Sequence, residues 1–104
     1  MIKAYNLVNN VPVLCDAADK KERGQESRVG EDFIAGMRIS TVFIGLDTGD
    51  GNLFETMVFH VASMEWMDRV RYASWDAALR GHNHMVDSYK FSLDPMAEGT
   101  RRSQ

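Results

Sequence analysis

Two runs of alternating residues constrain the fold of this chain more than anything else in it. In MRISTVFIGL, Ile39, Thr41 and Phe43 alternate with Ser40, Val42, Ile44 and Leu46, and in LFETMVFHV, Leu53, Glu55, Met57 and Phe59 alternate with Phe54, Thr56, Val58 and His60. Strand side chains point to opposite faces with a period of two, so each run predicts a strand. Both faces of both runs are partly apolar, which places the pair, Met37 to Leu46 and Asn52 to Val61, centrally in an antiparallel sheet. The DTGDGN segment between them consists of residues that supply turn chemistry and positive φ, and predicts a hairpin connection. DRVRYAS adds a neighbouring strand, with Arg69 and Arg71 on one side and Val70 and Tyr72 on the other.

The flanking segments complete an α+β pattern. KAYNLV and VPVLC surround Asn9-Asn10, a pair that tolerates the positive φ of a tight turn, so an N-terminal hairpin is expected with Pro12 keeping it at an edge. DAADKKER predicts a short helix capped by Asp16, with Lys20, Lys21 and Arg23 late and Gly24 ending it. GQESRVGED is polar and is expected to be a loop running into a strand. The clearest element follows Ser74, a good N-cap: Trp75, Ala78, Leu79, His82, Met85, Val86 and Tyr89 recur at helical spacing and should pack the helix on one sheet face. Gly81 in its middle costs about 1 kcal/mol relative to Ala, so it either permits a close approach to the sheet or marks a weak point. The expected organisation is one α+β domain over 1–93 and a flexible tail over 94–104, where periodicity is lost.

Composition narrows the function classes. A chain of 104 residues is near the size at which a single core becomes marginal, so oligomerisation would help, a dimer first. Its net charge of −3 argues against a general, non-specific nucleic-acid binder, although a local basic patch remains open. The apolar runs fall far short of the roughly 20 residues of a membrane span. The opening MIKAYNLVNN lacks the apolar stretch of a signal peptide, and the lone Cys15 agrees with a reducing compartment; the expectation is a cytoplasmic protein that does not engage the membrane. Cys15 reads as a small apolar residue rather than a thiol nucleophile.

Each candidate motif has a plainer reading beside it. Asp47-Thr48-Gly49 has the form of an aspartic-protease catalytic loop, but no later pair of apolar residues followed by Gly is present to pack beneath it, and the candidate C-terminal segment is helical. Asp47, Asp50, Asn52 and Glu55 are oxygen ligands in a loop, yet the full calcium-loop spacing is missing. His82 and His84 are two apart, which on a helix separates them by about 200° and prevents a shared metal. No metal, cofactor or catalytic set is therefore expected. Glu55 is the most informative polar residue, because a carboxylate in a central strand must either face a cleft or be paired, and Arg69 and Arg71 on the next strand are its candidate partners. Met64, Trp66 and Met67 form an apolar cluster in a connecting segment that would act as a lid on the core or as a partner surface.

STVFIGLD, LFETMVF and RYASWDAALRGHNHMV together resemble a family of small proteins encoded by bacteriophages and prophages. The matching positions are Ser40 to Asp47, Phe54 to Phe59, Arg71 to Tyr72 and Ala78 to His82, with YNLVNNVPV similar to the family's opening hairpin, so the likeness spans roughly residues 5 to 90. Two features depart from the pattern: Thr48 stands where the family has His, before a shorter loop, and HVASMEWMD replaces a Gly-rich connection. The resemblance implies phage origin and an accessory role, and supplies no catalytic residues.

The leading functional expectation is a non-enzymatic interaction protein that blocks a host protein, for example an immune effector such as a CRISPR complex. The alternative is a small-molecule binder that sequesters a nucleotide signal, using Glu55, Arg69 and Arg71 with a stack from Trp66 or Tyr72. The third is an enzyme with His60, His82 and Glu55 in a cleft. The candidate binding residues are thus Glu55, His60, Trp66, Arg69, Arg71 and Tyr72. If the helix covers one side of the sheet, residues on the other, including some of Val42, Ile44, Thr56, Val58 and His60, need another copy or a partner to cover them.

Overall fold

The structure, a computed structural model, describes residues 2–21 and 27–92. Over these residues the fold is α+β, with two antiparallel sheets and one long helix. The N-terminal hairpin forms as expected from β1 (Lys3–Val8) and β2 (Val11–Cys15), joined by Asn9 and Asn10 at φ 51° and 66°. These are the left-handed values that a two-residue hairpin turn requires. Residues flanking such a turn bond each other, so Val11 directs its N–H inward and Pro12 faces the outer edge, where its missing donor breaks no ladder bond.

The chain next makes a 3-10 turn over Ala17–Asp19 instead of the expected helix, and Asp16 provides no side-chain cap. The segment is held from outside: Asn6 Nδ2 donates to the Asp19 carbonyl while Asn6 Oδ1 accepts from the Lys21 N–H. Lys20 is drawn over the Phe43 ring, 5.3 Å from its centroid. The expected helix end at Arg23 and Gly24 lies outside the described residues.

The larger sheet runs β3 (Arg28–Ile34), β4 (Met37–Phe43), β6 (Phe54–His60) and β7 (Trp66–Tyr72) in that spatial order. β4 and β6 are the central pair, as their two-sided apolarity predicts. β3 corrects the loop expected for GQESRVGED. Its polar composition suits an edge strand, and the tight turn joining it to β4 is formed by Ala35 and Gly36 at φ 44° and 87°. At Ile44 and Gly45 the chain leaves this sheet: both N–H groups donate to the Leu53 carbonyl, and the Gly45 carbonyl accepts from Tyr5 N–H at 2.8 Å. Gly45 adopts φ 77°, which a side chain would resist. The short β5 (Leu46–Asp47) then pairs with β1, giving a second sheet of order β2-β1-β5. The DTGDGN segment is therefore no tight hairpin, because two of the residues expected to extend the β4 strand or begin its turn instead anchor the N-terminal hairpin.

Helix α1 (Trp75–Ser92) packs across β3, β4, β6 and β7. Ser74 Oγ accepts from the Ala77 N–H at 3.1 Å, as the N-cap assignment requires. Phe43, Leu53, Phe54 and Ala78 form one buried cluster, and Ile39, Val58 and Met85 form a second. Leu79, expected on the apolar stripe, is exposed at its margin. Burial raises the Tyr89 phenol above its ordinary pKa, and the Asp68 carboxylate adds to the shift. Among the described residues no helix is long and apolar enough to cross a membrane. The expected tail over 94–104 lies outside the described residues.

Gly81 resolves as a close-approach residue, since a Cβ placed there would clash with the hydroxyl end of the Tyr72 side chain. Gly81→Ala should therefore destabilise the fold by about 1–3 kcal/mol despite the better helix propensity of Ala. Urea denaturation of the two proteins measures this; a more stable variant would refute the close packing.

Candidate functional site

The two apolar clusters are separated by a line of polar groups. His82, 2 % exposed, projects from α1 between β3 and β4, where its Nε2 lies 2.7 Å from Asp32 Oδ2 and its Nδ1 lies 2.7 Å from Thr41 Oγ1. Thr41 Oγ1 in turn contacts Thr56 Oγ1 across the central strand pair. An ionised Asp32 only accepts, so Nε2 carries the proton; with a neutral ring Nδ1 accepts from Thr41, and Thr41 accepts from Thr56. Every member of the line is then satisfied. Gly30 makes room for it, because a Cβ there would sit 2.8 Å from the imidazole. The order of carboxylate, imidazole and hydroxyl has the form of a catalytic triad, but both threonines are fully buried. The arrangement holds the helix to the sheet and gives no hydroxyl to a substrate.

The opposite face of the sheet differs in character. Strand register sets three rows across it. Phe33, Arg38, Phe59 and Trp66 form the first, Glu31, Ser40, Met57 and Arg69 the second, and Arg28, Val42, Glu55 and Arg71 the third. All of these residues are half-buried or exposed, whereas Ile39, Thr41, Phe43, Phe54, Thr56 and Val58 beneath the helix are buried. Phe33 and Trp66 stand 64 % and 58 % exposed.

Two arginine–glutamate–arginine groups lie among these side chains. Arg71 Nε donates to Glu55 Oε2 at 3.0 Å, with Arg69 Nε 3.8 Å from the same oxygen. Arg28 Nη1 donates to Glu31 Oε1 at 3.1 Å, and Arg38 Nε to Glu31 Oε2 at 2.8 Å. The expected partnership of Glu55 with Arg69 and Arg71 is present as a cross-strand ion pair. The second group has no signal in the sequence, since the polar GQESRVGED segment that carries Arg28 and Glu31 predicts a loop running into a strand. Arg69 also lies over the Trp66 ring, 5.7 Å from the centroid, in cation–π geometry.

The other candidate residues are dispersed. Trp66 and Met67 belong to β7 and, with Met64, are exposed, so they do not form a lid on the core. Tyr72 is on the helix side of β7 against Gly81, away from the Trp66 surface. His60 Nδ1 is 3.2 Å from Ser63 Oγ in its own turn. His60, His82 and Glu55 are not brought together: His82 is under the helix and Glu55 is on the other face. Of the residues named as possibly uncovered, Val42 lies on the helix-free face, while Thr56 and Val58 are buried under the helix.

Asp47 is engaged by its own loop. Its Oδ1 accepts from the N–H groups of Gly49 and Gly51 at 2.8 and 2.9 Å, and these bonds hold its pKa below the ordinary carboxylate value. Asp50 Oδ1 accepts from Asn52 N–H. The triplet works as turn chemistry. Among the described residues no group of three or more His, Cys, Asp or Glu is placed to hold a metal ion. Two hollows, of about 690 and 480 Å³, are lined by other residues, near Cys15 and between Asn10 and Trp75.

Comparison with known proteins adds no relative: no family model, no curated protein and no solved structure matches this chain.

The buried line predicts an order of mutational cost. Thr41→Val leaves both His82 Nδ1 and the Thr56 hydroxyl unpaired and should cost about 1–3 kcal/mol, while Thr56→Val leaves the Thr41–His82 bond intact and should cost less. Equal losses in chemical denaturation would contradict this chain of bonds. For Asp47, the lowered folded-state pKa means that its contribution is present above the unfolded-state value and is lost as pH falls through the folded one. Carbon-detected NMR titration should find the Asp47 carboxylate titrating below the ordinary Asp range, and a midpoint at or above that range would count against the Gly49 and Gly51 bonds.

Proposed function

We propose that this chain is a non-catalytic binding protein of phage origin that blocks a component of a host defence system, for example an immune effector complex, by docking through the helix-free sheet face. The observation that carries the proposal is the set of side chains on that face: Phe33, Phe59, Trp66, Met57 and four arginines, with no lysine. Aromatic residues, Met and Arg are enriched where proteins meet partners, and Trp and Arg supply many of the strongest contacts. The phage context is supported by the sequence resemblance.

Sequestration of a small nucleotide receives less support. Small ligands are held in concave sites that bury most of their surface. Here Arg69, Arg71, Glu55 and Trp66 stand on a sheet surface, with Tyr72 on its far side. A second copy on the same face would bring two net-positive surfaces together.

Affinity capture with tagged protein from a bacterial lysate, followed by native mass spectrometry, tests the proposal. The wild-type chain should retain a stoichiometric host component, and Trp66→Ala and Arg71→Glu should lose it while keeping the circular dichroism of the fold. Capture that is indifferent to both substitutions would sink the docking face. Recovery of a homo-oligomer carrying only a small extra mass would favour sequestration instead.

A further inference from the structure

The charge of the helix-free face departs from that of the chain. Arg28, Arg38, Arg69 and Arg71 outnumber Glu31, Glu55 and the loop carboxylate Asp50, whose Oδ2 lies 3.9 Å from Arg71 Nη1, so the face is net positive by one on a chain of net charge −3. Depth sharpens the difference. The Glu55 and Glu31 side chains are only 13 % and 23 % exposed, while those of the four arginines are 39–51 % exposed. Each carboxylate lies beneath the two arginines that it holds. Solvent, or any ligand, therefore meets guanidinium groups above these two carboxylates, with the half-exposed Asp50 beside Arg71.

The aromatic side chains share one row. Phe33, Phe59 and Trp66 belong to β3, β6 and β7, with Arg38 between the first two. At the strand spacing of about 4.8 Å the row reaches across roughly 14 Å, and both its ends are exposed rings. Exposed rings on an open antiparallel sheet, bordered by arginines, provide stacking surfaces for unpaired bases and forks for phosphates.

The docked component need not take these charges out of water, a desolvation that the attraction within an ion pair repays only in favourable geometry. A single strand places its own charges beside the arginines and leaves the interface hydrated.

We infer that the helix-free face binds single-stranded nucleic acid, its bases stacking on Phe33, Phe59 and Trp66 and its phosphates lying against Arg28, Arg38, Arg69 and Arg71. The inference rests on the reading of this face as the docking surface, and names the component of the blocked complex that it engages: an exposed guide or target strand. It also refines the expectation drawn from net charge, which averages over surfaces that a strand never touches.

Fluorescence anisotropy with fluorescein-labelled oligothymidylate and oligouridylate of about 12 nucleotides tests it. Both strands, or one of them, should bind at low salt, with affinity falling as salt rises by a log–log slope of about −0.7 for each phosphate contacted. Trp66→Ala and Phe33→Ala, at exposed positions that spare the core, should each weaken binding about tenfold. Arg69→Gln with Arg71→Gln should flatten the salt slope. No binding at low salt, equal binding of a duplex of the same length, or affinity unmoved by both aromatic substitutions would overturn the inference. If oligonucleotides do not bind but capture of the host component still depends on Trp66 and Arg71, the docking face stands and its occupant is a protein surface. If capture is also independent of those residues, both readings fall.

Discussion

The architecture depends on the seating of one imidazole. His82 reaches from the only long helix among the described residues into the sheet, and its two ring nitrogens bond Asp32 on the edge strand β3 and Thr41 on the central strand β4. A buried ring nitrogen without a partner costs free energy, so the contact fixes the helix in rotation and in position along the sheet. Gly30 and Gly81 serve the same seating from opposite sides, one clearing space for the imidazole and the other for the Tyr72 ring. The apolar clusters on either side of the polar line provide non-directional burial. Hydrophobic contact alone would tolerate a helix shifted by a turn; the hydrogen bonds would not.

One consequence lies on the other side of the sheet. A single helix covers a single face, and the opposite face keeps a lattice of aromatic, aliphatic and ion-paired side chains in contact with solvent. That face is ordered by the same strand register that builds the core, since neighbouring residues of β4 and β6 point alternately to each side. Its two arginine–glutamate–arginine groups hold the guanidinium planes in place before any partner arrives, which reduces the entropy lost on binding. The edges are guarded as well: Pro12 faces outward from β2, and Asp68 Oδ1 occupies the Arg69 N–H on β7.

Much of this was legible in the residues. The N-terminal turn, the central strand pair, the Ser74 cap and the Glu55–Arg71 pairing all rest on short-range chemistry or on a period of two, which a sequence displays directly. The failures have a common cause in tertiary context. DAADKKER has helical charge order, but Asn6 and Phe43 claim its backbone and its lysine. Arg28–Ile34 lacks apolar alternation because it is an edge strand with one partner and one exposed side. For Trp66 and Met67 the residue types left a lid on the core and a partner surface both open, and only their strand, which turns them to solvent, excludes the lid.

The sequence by itself determined the elements that local rules govern: turns with residues suited to positive φ, strands with two-sided apolarity, and a capped helix with one apolar stripe. It also narrowed Glu55 to two outcomes, facing a cleft or pairing with a cation, since a bare carboxylate buried in a central strand is costly. Only the tertiary structure decided which sheet face the helix took, that Asp32, His82, Thr41 and Thr56 form one line, and that Phe33 joins Phe59 and Trp66. Those groupings connect residues up to 50 positions apart. They follow from strand order and helix placement, and these are set by the summed packing of the whole chain, which no local window contains.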